Sequence, residues 1–135
     1  AKQCAFEEPS VETISGENVL TWPFAVKHVD CLTVTAEELV SVTTKYRFTS
    51  MMQAPLHGFA FWFDVEFNGH ISSDRSKRVK PNEGVTLSTA REDAPTHWQQ
   101  TLLYFYDPIE VKQDQVIEGS ITLSQSRENQ RFLNI

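Results

Sequence analysis

The stretch "HGFAFWFDVEF" (residues 57–67) decides the fold class, because aromatic and polar side chains alternate along it. Phe59, Phe61, Phe63, Val65 and Phe67 share one face. Ala60, Trp62, Asp64 and Glu66 share the other. A period of two is that of a β-strand, so the pattern predicts one strand with its aromatic face in the core.

Other segments repeat this pattern. "VSVTTKYRF" (40–48) and "VIEGSITLS" (116–124) each predict a strand with one buried face. "TLLYFY" (101–106) is apolar on both faces, which predicts a central strand covered on both sides. Weaker strand patterns are found in residues 24–34, 85–88 and 131–135.

Helical signals are few. "TAEEL" (35–39) carries a threonine cap with a glutamate three residues later, which predicts one helical turn. "CAFEEPSVETI" (4–14) favours a short turn ending at Pro9. The strand spacing therefore predicts one all-β domain, an antiparallel barrel or sandwich with one or two short helical turns. Its core is expected to be supplied by 9 Phe, 3 Trp and 3 Tyr.

Two polar segments connect the predicted strands. Residues 68–84 predict a long surface loop. Its basic cluster is Arg75, Lys77, Arg78 and Lys80, and this cluster is either a solvated loop tip or a targeting or partner patch. Residues 106–119 predict a connection at a sheet end, with Pro108 soon after the preceding strand.

Charge and composition exclude several functions. A formal net charge of −6 argues against nucleic acid as a partner and favours a cationic one. No apolar run has the length of a membrane helix and no leader pattern opens the sequence, so we expect a soluble, unexported protein without a membrane partner. Cys4 and Cys31 predict free thiols, and no metal-ligand spacing is present. The 5 glycines form neither common nucleotide-binding motif.

Isolated acidic and histidine residues give weak catalytic signals. Asp64 and Glu66 share a strand face and could act as an acid–base pair, but a solvent-facing sheet is where carboxylates normally lie. Trp62 on the same face suggests that something covers it, such as a second domain. The carboxylate doublets at 7–8, 37–38 and 92–93 predict solvated faces. None of the four histidines has a nucleophile partner in a hydrolase motif.

Thr96, His97 and Trp98 form a stronger candidate because Pro95 stiffens the loop that carries them. An indole face can bind a cation, and a histidine can pair with a carboxylate. The alternative is ordinary structure, in which the three residues cap a strand and Trp98 packs into the core. The physics of the residues leaves both interpretations open.

Three ordered blocks carry a resemblance to a known family. "LHGFAFWFDVEFNG" (56–69), "LSTAREDAPTHWQQTLLYF" (87–105) and "DQVIEGSITLS" (114–124) resemble the C-terminal β-barrel of protein arginine N-methyltransferases. The likeness runs from about Phe24 to Ile135 and is nearest to plant asymmetric-dimethylating (type I) members. The Thr-His-Trp block is its most specific element.

The resemblance implies a role for each of the three loop residues. A separate Rossmann-like domain of the same protein would bind S-adenosyl-L-methionine, and the barrel would close the acceptor-arginine pocket. Thr96 and Trp98 would line the substrate site, and His97 would pair with a carboxylate of the cofactor domain as the catalytic residue of this half. The substrates would be arginine-containing proteins such as histones or Arg-Gly-rich proteins. The full enzyme would be a homodimer in the cytoplasm and/or nucleus.

The chain also departs from the family pattern. The cofactor loop, the glutamate-bearing substrate loop and the helical dimerisation arm are missing from these residues. We therefore expect residues 1–15 to be a connector at the end of such an arm, residues 16–135 to be the barrel, and the chain alone to be inactive. The alternatives are a stand-alone β-sandwich that binds proteins without catalysis, and a metal-dependent enzyme whose scattered histidines converge.

Overall fold

The computed structural model describes residues 8–67, 84–90 and 96–135. These residues form two compact units, one within residues 1–18 and 57–108 and one within 19–56 and 109–135. The predicted helical turn before Pro9 lies largely outside the described residues. Also outside them are Cys4, the basic cluster in the 68–84 loop, the doublet at 92–93 and Pro95, which was predicted to stiffen the site loop. The proposed division at residue 15 stays a prediction.

The described residues are mostly antiparallel strands, as predicted. The strands are β1 (Ser10–Glu12), β2 (Ser41–Thr49), β3 (Ala54–Phe61), β4 (Asp64–Phe67), β5 (Val85–Ser88), β6 (Gln100–Val111), β7 (Val116–Gln125) and β8 (Leu133–Asn134). A 3-10 turn (Gly16–Asn18) and helix α1 (Ala36–Val40) complete them. The strands join in the orders β1-β6-β3, β2-β7-β8 and β4-β5. The all-β fold class is therefore confirmed.

The ladder between β2 and β7 is the longest regular pairing that is described. It runs in register from Ser41 opposite Ser124 to Thr49 opposite Val116. Side chains along β2 alternate between exposed and half-buried, as the sequence predicted. Val40 is the exception, since it ends helix α1 and is exposed.

Helix α1 begins where the cap was predicted. The Thr35 hydroxyl accepts a hydrogen bond from the Glu38 amide at 3.4 Å, which satisfies one of the free donors of the first turn.

The predicted strand at 57–67 is wrong as a single element. The chain leaves strand geometry at Trp62 and Phe63, between β3 and β4. The break has a physical cause, because β3 belongs to the sheet of β6 whereas β4 pairs with β5. A strand that changes sheets must bend between them. The predicted inward face is kept only in part, since Phe59, Phe61 and Val65 are half-buried whereas Phe63 and Phe67 are exposed.

The segment before helix α1 also differs from its predicted structure. Residues 24–34 form no strand. In their second half the Asp30 carboxylate accepts from the Leu32 amide, and the Asp30 carbonyl accepts from the Thr33 and Val34 amides. These hydrogen bonds make a turn.

Strand β6 is central in its sheet but is not covered on both faces, since Tyr106 is 77% exposed. It also continues through Pro108 to Val111, where a connection had been predicted.

Among the described residues the most buried apolar side chains are aliphatic, whereas the aromatic rings are half-buried or exposed. The buried apolar side chains among the described residues are Leu56, Leu102 and Val111. The rings instead pack edge to face at partly exposed positions, such as Phe59 against Phe105 with centroids 5.2 Å apart. No helix in the described ranges is long and apolar enough to span a membrane.

Candidate functional site

The Thr96 side chain folds the candidate loop on itself. The Trp98 amide donates to the Thr96 hydroxyl at 3.2 Å, and this hydroxyl donates to the Trp98 carbonyl at 3.1 Å. A hydroxyl that bonds to backbone two residues ahead is a recurrent turn device. The turn fixes the backbone that carries His97 and Trp98.

The two rings of the loop stack and remain open to solvent. The His97 and Trp98 centroids are 3.8 Å apart with planes at 34°. Trp98 is 44% exposed and His97 is also exposed. The Phe63 ring meets the indole edge-on, with centroids 5.8 Å apart and planes at 75°. Edge-to-face packing of this kind is a favourable arrangement of aromatic rings. Phe63 therefore supports the Trp98 indole on one side.

A buried polar network joins the residues around Phe63. The Thr89 hydroxyl donates to the Phe63 carbonyl at 2.8 Å and accepts from the Phe63 amide at 3.1 Å. The Gln100 side-chain amide donates to the Thr89 carbonyl at 2.8 Å and accepts from the Ile14 amide at 3.2 Å. Gln100 is the first residue of β6, two positions after Trp98. This network ties the start of β6 to the bend between β3 and β4.

The three predicted site residues thus form one continuous loop. The alternative in which Trp98 packs into the core does not fit its exposure. The roles assigned to Thr96, His97 and Trp98 stay predictions. The loop can offer a π surface to a cation and a ring nitrogen to a carboxylate.

The other candidates from the sequence lie at ordinary surface positions. Asp64 and Glu66 are both exposed on β4, and the Ser88 hydroxyl donates to the Asp64 carboxylate at 2.6 Å. Trp62 is half-buried, and His28 and His57 are exposed. Within the described parts of the chain, no group of three or more His, Cys, Asp or Glu residues is placed to hold a metal ion.

Sequence reasoning missed the residues behind the loop. Thr89 lies inside a block that carries the family resemblance, and Gln100 follows the Thr-His-Trp motif closely. A threonine before a loop and a glutamine at a strand start have no periodicity that indicates burial. The one available signal was the polar pair Gln99-Gln100 directly before an apolar strand.

Comparison with known proteins agrees with the fold and with the family resemblance. The family model of the arginine methyltransferase oligomerization subdomain matches residues 1–135. "Probable protein arginine N-methyltransferase 6" of Arabidopsis thaliana is 60% identical, and the match covers 100% of this chain and 36% of that protein. A rice protein, "Probable protein arginine N-methyltransferase 6.1" of the indica subspecies, is 61% identical, with 100% of this chain and 39% of that protein covered.

Solved structures share the fold. Arabidopsis thaliana protein arginine methyltransferase 10, described in an open conformation, has a TM-score of 0.78 at 27% identity over 93% of this chain and 35% of that one. The fold is also shared with the Trypanosoma brucei PRMT1 enzyme-prozyme heterotetrameric complex with AdoHcy, with a TM-score of 0.81 at 24% identity over 97% of this chain and 38% of that one.

The chain therefore spans little more than a third of the length of these plant relatives. A family match along its whole length favours the resemblance over a binding module of unrelated origin. The chain belongs to the protein arginine methyltransferases, as their oligomerization subdomain, with plant proteins among its similar relatives.

Proposed function

We propose that this chain forms the substrate side of an S-adenosyl-L-methionine-dependent protein arginine N-methyltransferase, with the Thr96–Trp98 loop lining the acceptor-arginine pocket. The observation that carries the proposal is the Thr96 turn, which holds the His97 and Trp98 rings stacked and exposed. The formal charge of −6 suits a cationic acceptor. The plant relatives are named as arginine N-methyltransferases, which supports the same reaction.

Each loop residue has a distinct task in this proposal. The face of Trp98 bounds the planar guanidinium, a contact worth about 0.5 to 2 kcal/mol depending on desolvation. His97 pairs with a carboxylate of the cofactor domain and so joins the two halves of the pocket. Thr96 fixes the turn that presents both rings. Because methyl transfer depends on in-line approach of the attacking nitrogen, this half contributes position.

The cofactor itself belongs elsewhere in the full protein. The 5 glycines of this chain form neither common nucleotide-binding motif, which supports a cofactor site in another domain. We assign the cofactor to a Rossmann-like domain outside this chain, and the chain alone is inactive. The complete enzyme acts as a homodimer on histones or Arg-Gly-rich proteins in the cytoplasm and/or nucleus.

The test of His97 uses the full-length protein, labelled S-adenosyl-L-methionine and an Arg-Gly-rich peptide. His97→Ala should lower turnover about 100-fold, because small misplacements in an active site have effects of that size. His28→Ala is the matched control, since His28 is equally an exposed histidine but lies in a loop of the other compact unit. Wild-type turnover by His97→Ala would remove this residue from the site.

The indole is tested in the same assay. Trp98→Ala should raise the KM for the peptide about tenfold, the equivalent of roughly 1.4 kcal/mol of lost cation–π contact. Trp98→Phe should retain part of the affinity because a smaller aromatic face remains. Trp22→Ala removes another exposed indole, 75% accessible, and should leave KM unchanged. Equal effects of the Trp22 and Trp98 variants would contradict the assigned role.

A further inference from the structure

Two buried polar side chains, Thr89 at 2% exposure and Gln100 at 3%, lie behind the loop in the same compact unit. We infer that the Thr89–Gln100 pair consists of positioning residues that set the orientation of Trp98, and through its stack the orientation of His97. This inference rests on the proposed function of the loop. It assigns the pair an effect on turnover beyond any effect on folding.

Thr89 is hydrogen-bonded to the backbone of Phe63. The Thr89 hydroxyl donates to the Phe63 carbonyl and accepts from the Phe63 amide, and the Thr89 amide donates to the same carbonyl at 3.1 Å. Phe63 lies in the bend between β3 and β4, outside regular ladder pairing. Thr89 alone therefore satisfies the N–H and C=O groups of Phe63, which in a regular sheet would bond to a neighbouring strand.

The Gln100 side chain bridges Thr89 and Ile14. Its side-chain amide is engaged at both ends, donating to the Thr89 carbonyl and accepting from the Ile14 amide. A buried amide is tolerated only when such partners are present. Since Gln100 starts β6, this bridge fixes the position at which the chain leaves the Thr-His-Trp loop and enters the strand.

Ring contacts link Phe63 to the two exposed rings of the loop. Phe63 touches Trp98 edge-on at 5.8 Å between centroids, and Trp98 stacks on His97 at 3.8 Å. The exposed rings have solvent on one side, so their orientation depends on what lies behind them. A shift of the Phe63 backbone would consequently move both rings.

The experiment uses the full-length enzyme with Thr89→Val, which keeps the side-chain shape but removes the hydroxyl. We expect kcat to fall about 10- to 100-fold, as for other residues that orient an active-site group. Thr89→Ser restores the hydroxyl and should stay within about threefold of wild type. Thr43→Val is the control for the chemical change itself, because it removes a threonine hydroxyl that is hydrogen-bonded to Thr122 at 2.8 Å, but at an exposed position in the β2–β7 ladder.

Hydrogen–deuterium exchange of the same variants separates positioning from folding. In Thr89→Val the amides of residues 96–99 should exchange at least tenfold faster, while β2 and β7 keep wild-type rates. Gln100→Glu provides a second variant, because its carboxylate still accepts from Ile14 but cannot donate to the Thr89 carbonyl. It should reproduce both effects.

The outcomes distinguish this inference from the proposed function. If His97→Ala shows the expected loss of turnover but Thr89→Val and Gln100→Glu keep wild-type kcat and exchange, the positioning role is wrong and the loop function stands. If the wild-type enzyme transfers no methyl group, the proposed function fails and faster exchange confined to 96–99 still supports a positioning role. Exchange that rises equally in β2 and β7 for both variants overturns the inference, since the pair then serves the whole fold.

Discussion

The β2–β7 ladder and the Thr-His-Trp loop are ordered in different ways. In the ladder nine successive residue pairs repeat one backbone pattern, and side chains alternate in exposure along it. In and around the loop, the hydrogen bonds come from single side chains, Thr96 within the loop and Thr89 and Gln100 beside it. Repetition distributes the stability of the ladder over many weak contacts. The loop depends on a few contacts, each of which leaves an unsatisfied group when removed.

This difference explains what the sequence could predict. β2 and β7 were predictable because each alternates polar and apolar residues across a half-buried sheet. The break at Phe63 was not, because the residues on both sides continue the same alternation while their partner strands change. The missing strand at 24–34 has a similar cause, since one Asp30 side chain outweighs a weak apolar pattern.

The site was only partly predictable for the same reason. Thr96, His97 and Trp98 were singled out by their position on a loop after Pro95, but their roles came only from the family resemblance. The hydrogen bonds of the Thr89–Gln100 pair could not be predicted from the sequence, because they join residues 11, 26 and 86 positions apart in the chain. No local pattern encodes contacts at those separations.

The largest stability effect is expected at Gly58 in β3. A methyl group there would overlap the Leu103 backbone carbonyl of β6, which cannot rotate away. Gly58→Ala should therefore lower the free energy of local opening by about 3 kcal/mol or more. Amide exchange of β3 and β6 in the full-length protein measures this quantity. Unchanged exchange would show that the two strands lie further apart than described.

A smaller effect on stability is expected when a glycine of the β2–β7 ladder, Gly119, is replaced by alanine. A methyl group at Gly119 would lie 2.6 Å from Cζ of Tyr46 and also meet its hydroxyl, the outer end of a rotatable side chain. Gly119→Ala should consequently cost about 1 kcal/mol, because the ring can move aside. Amide exchange of β2 and β7 reports the cost. A cost equal to that at Gly58 would contradict the contrast between a backbone and a side-chain obstacle.

The smallest effect is expected for the ion pair on the ladder surface. Arg47 and Glu118 approach to 3.1 Å with side chains 69% and 61% exposed. Solvent and salt screen such pairs, so a double-mutant cycle of Arg47→Ala and Glu118→Ala should give a coupling below about 1 kcal/mol. A larger coupling would mean that the ladder also depends on single contacts.

The central claim is that the loop presents the Trp98 face to the substrate arginine. A crystal structure of the full-length protein with an Arg-Gly peptide bound tests it most directly. We predict the guanidinium within about 6 Å of the Trp98 ring centroid, the range of cation–π contacts. A peptide bound with its arginine remote from Trp98 and His97 would contradict the claim.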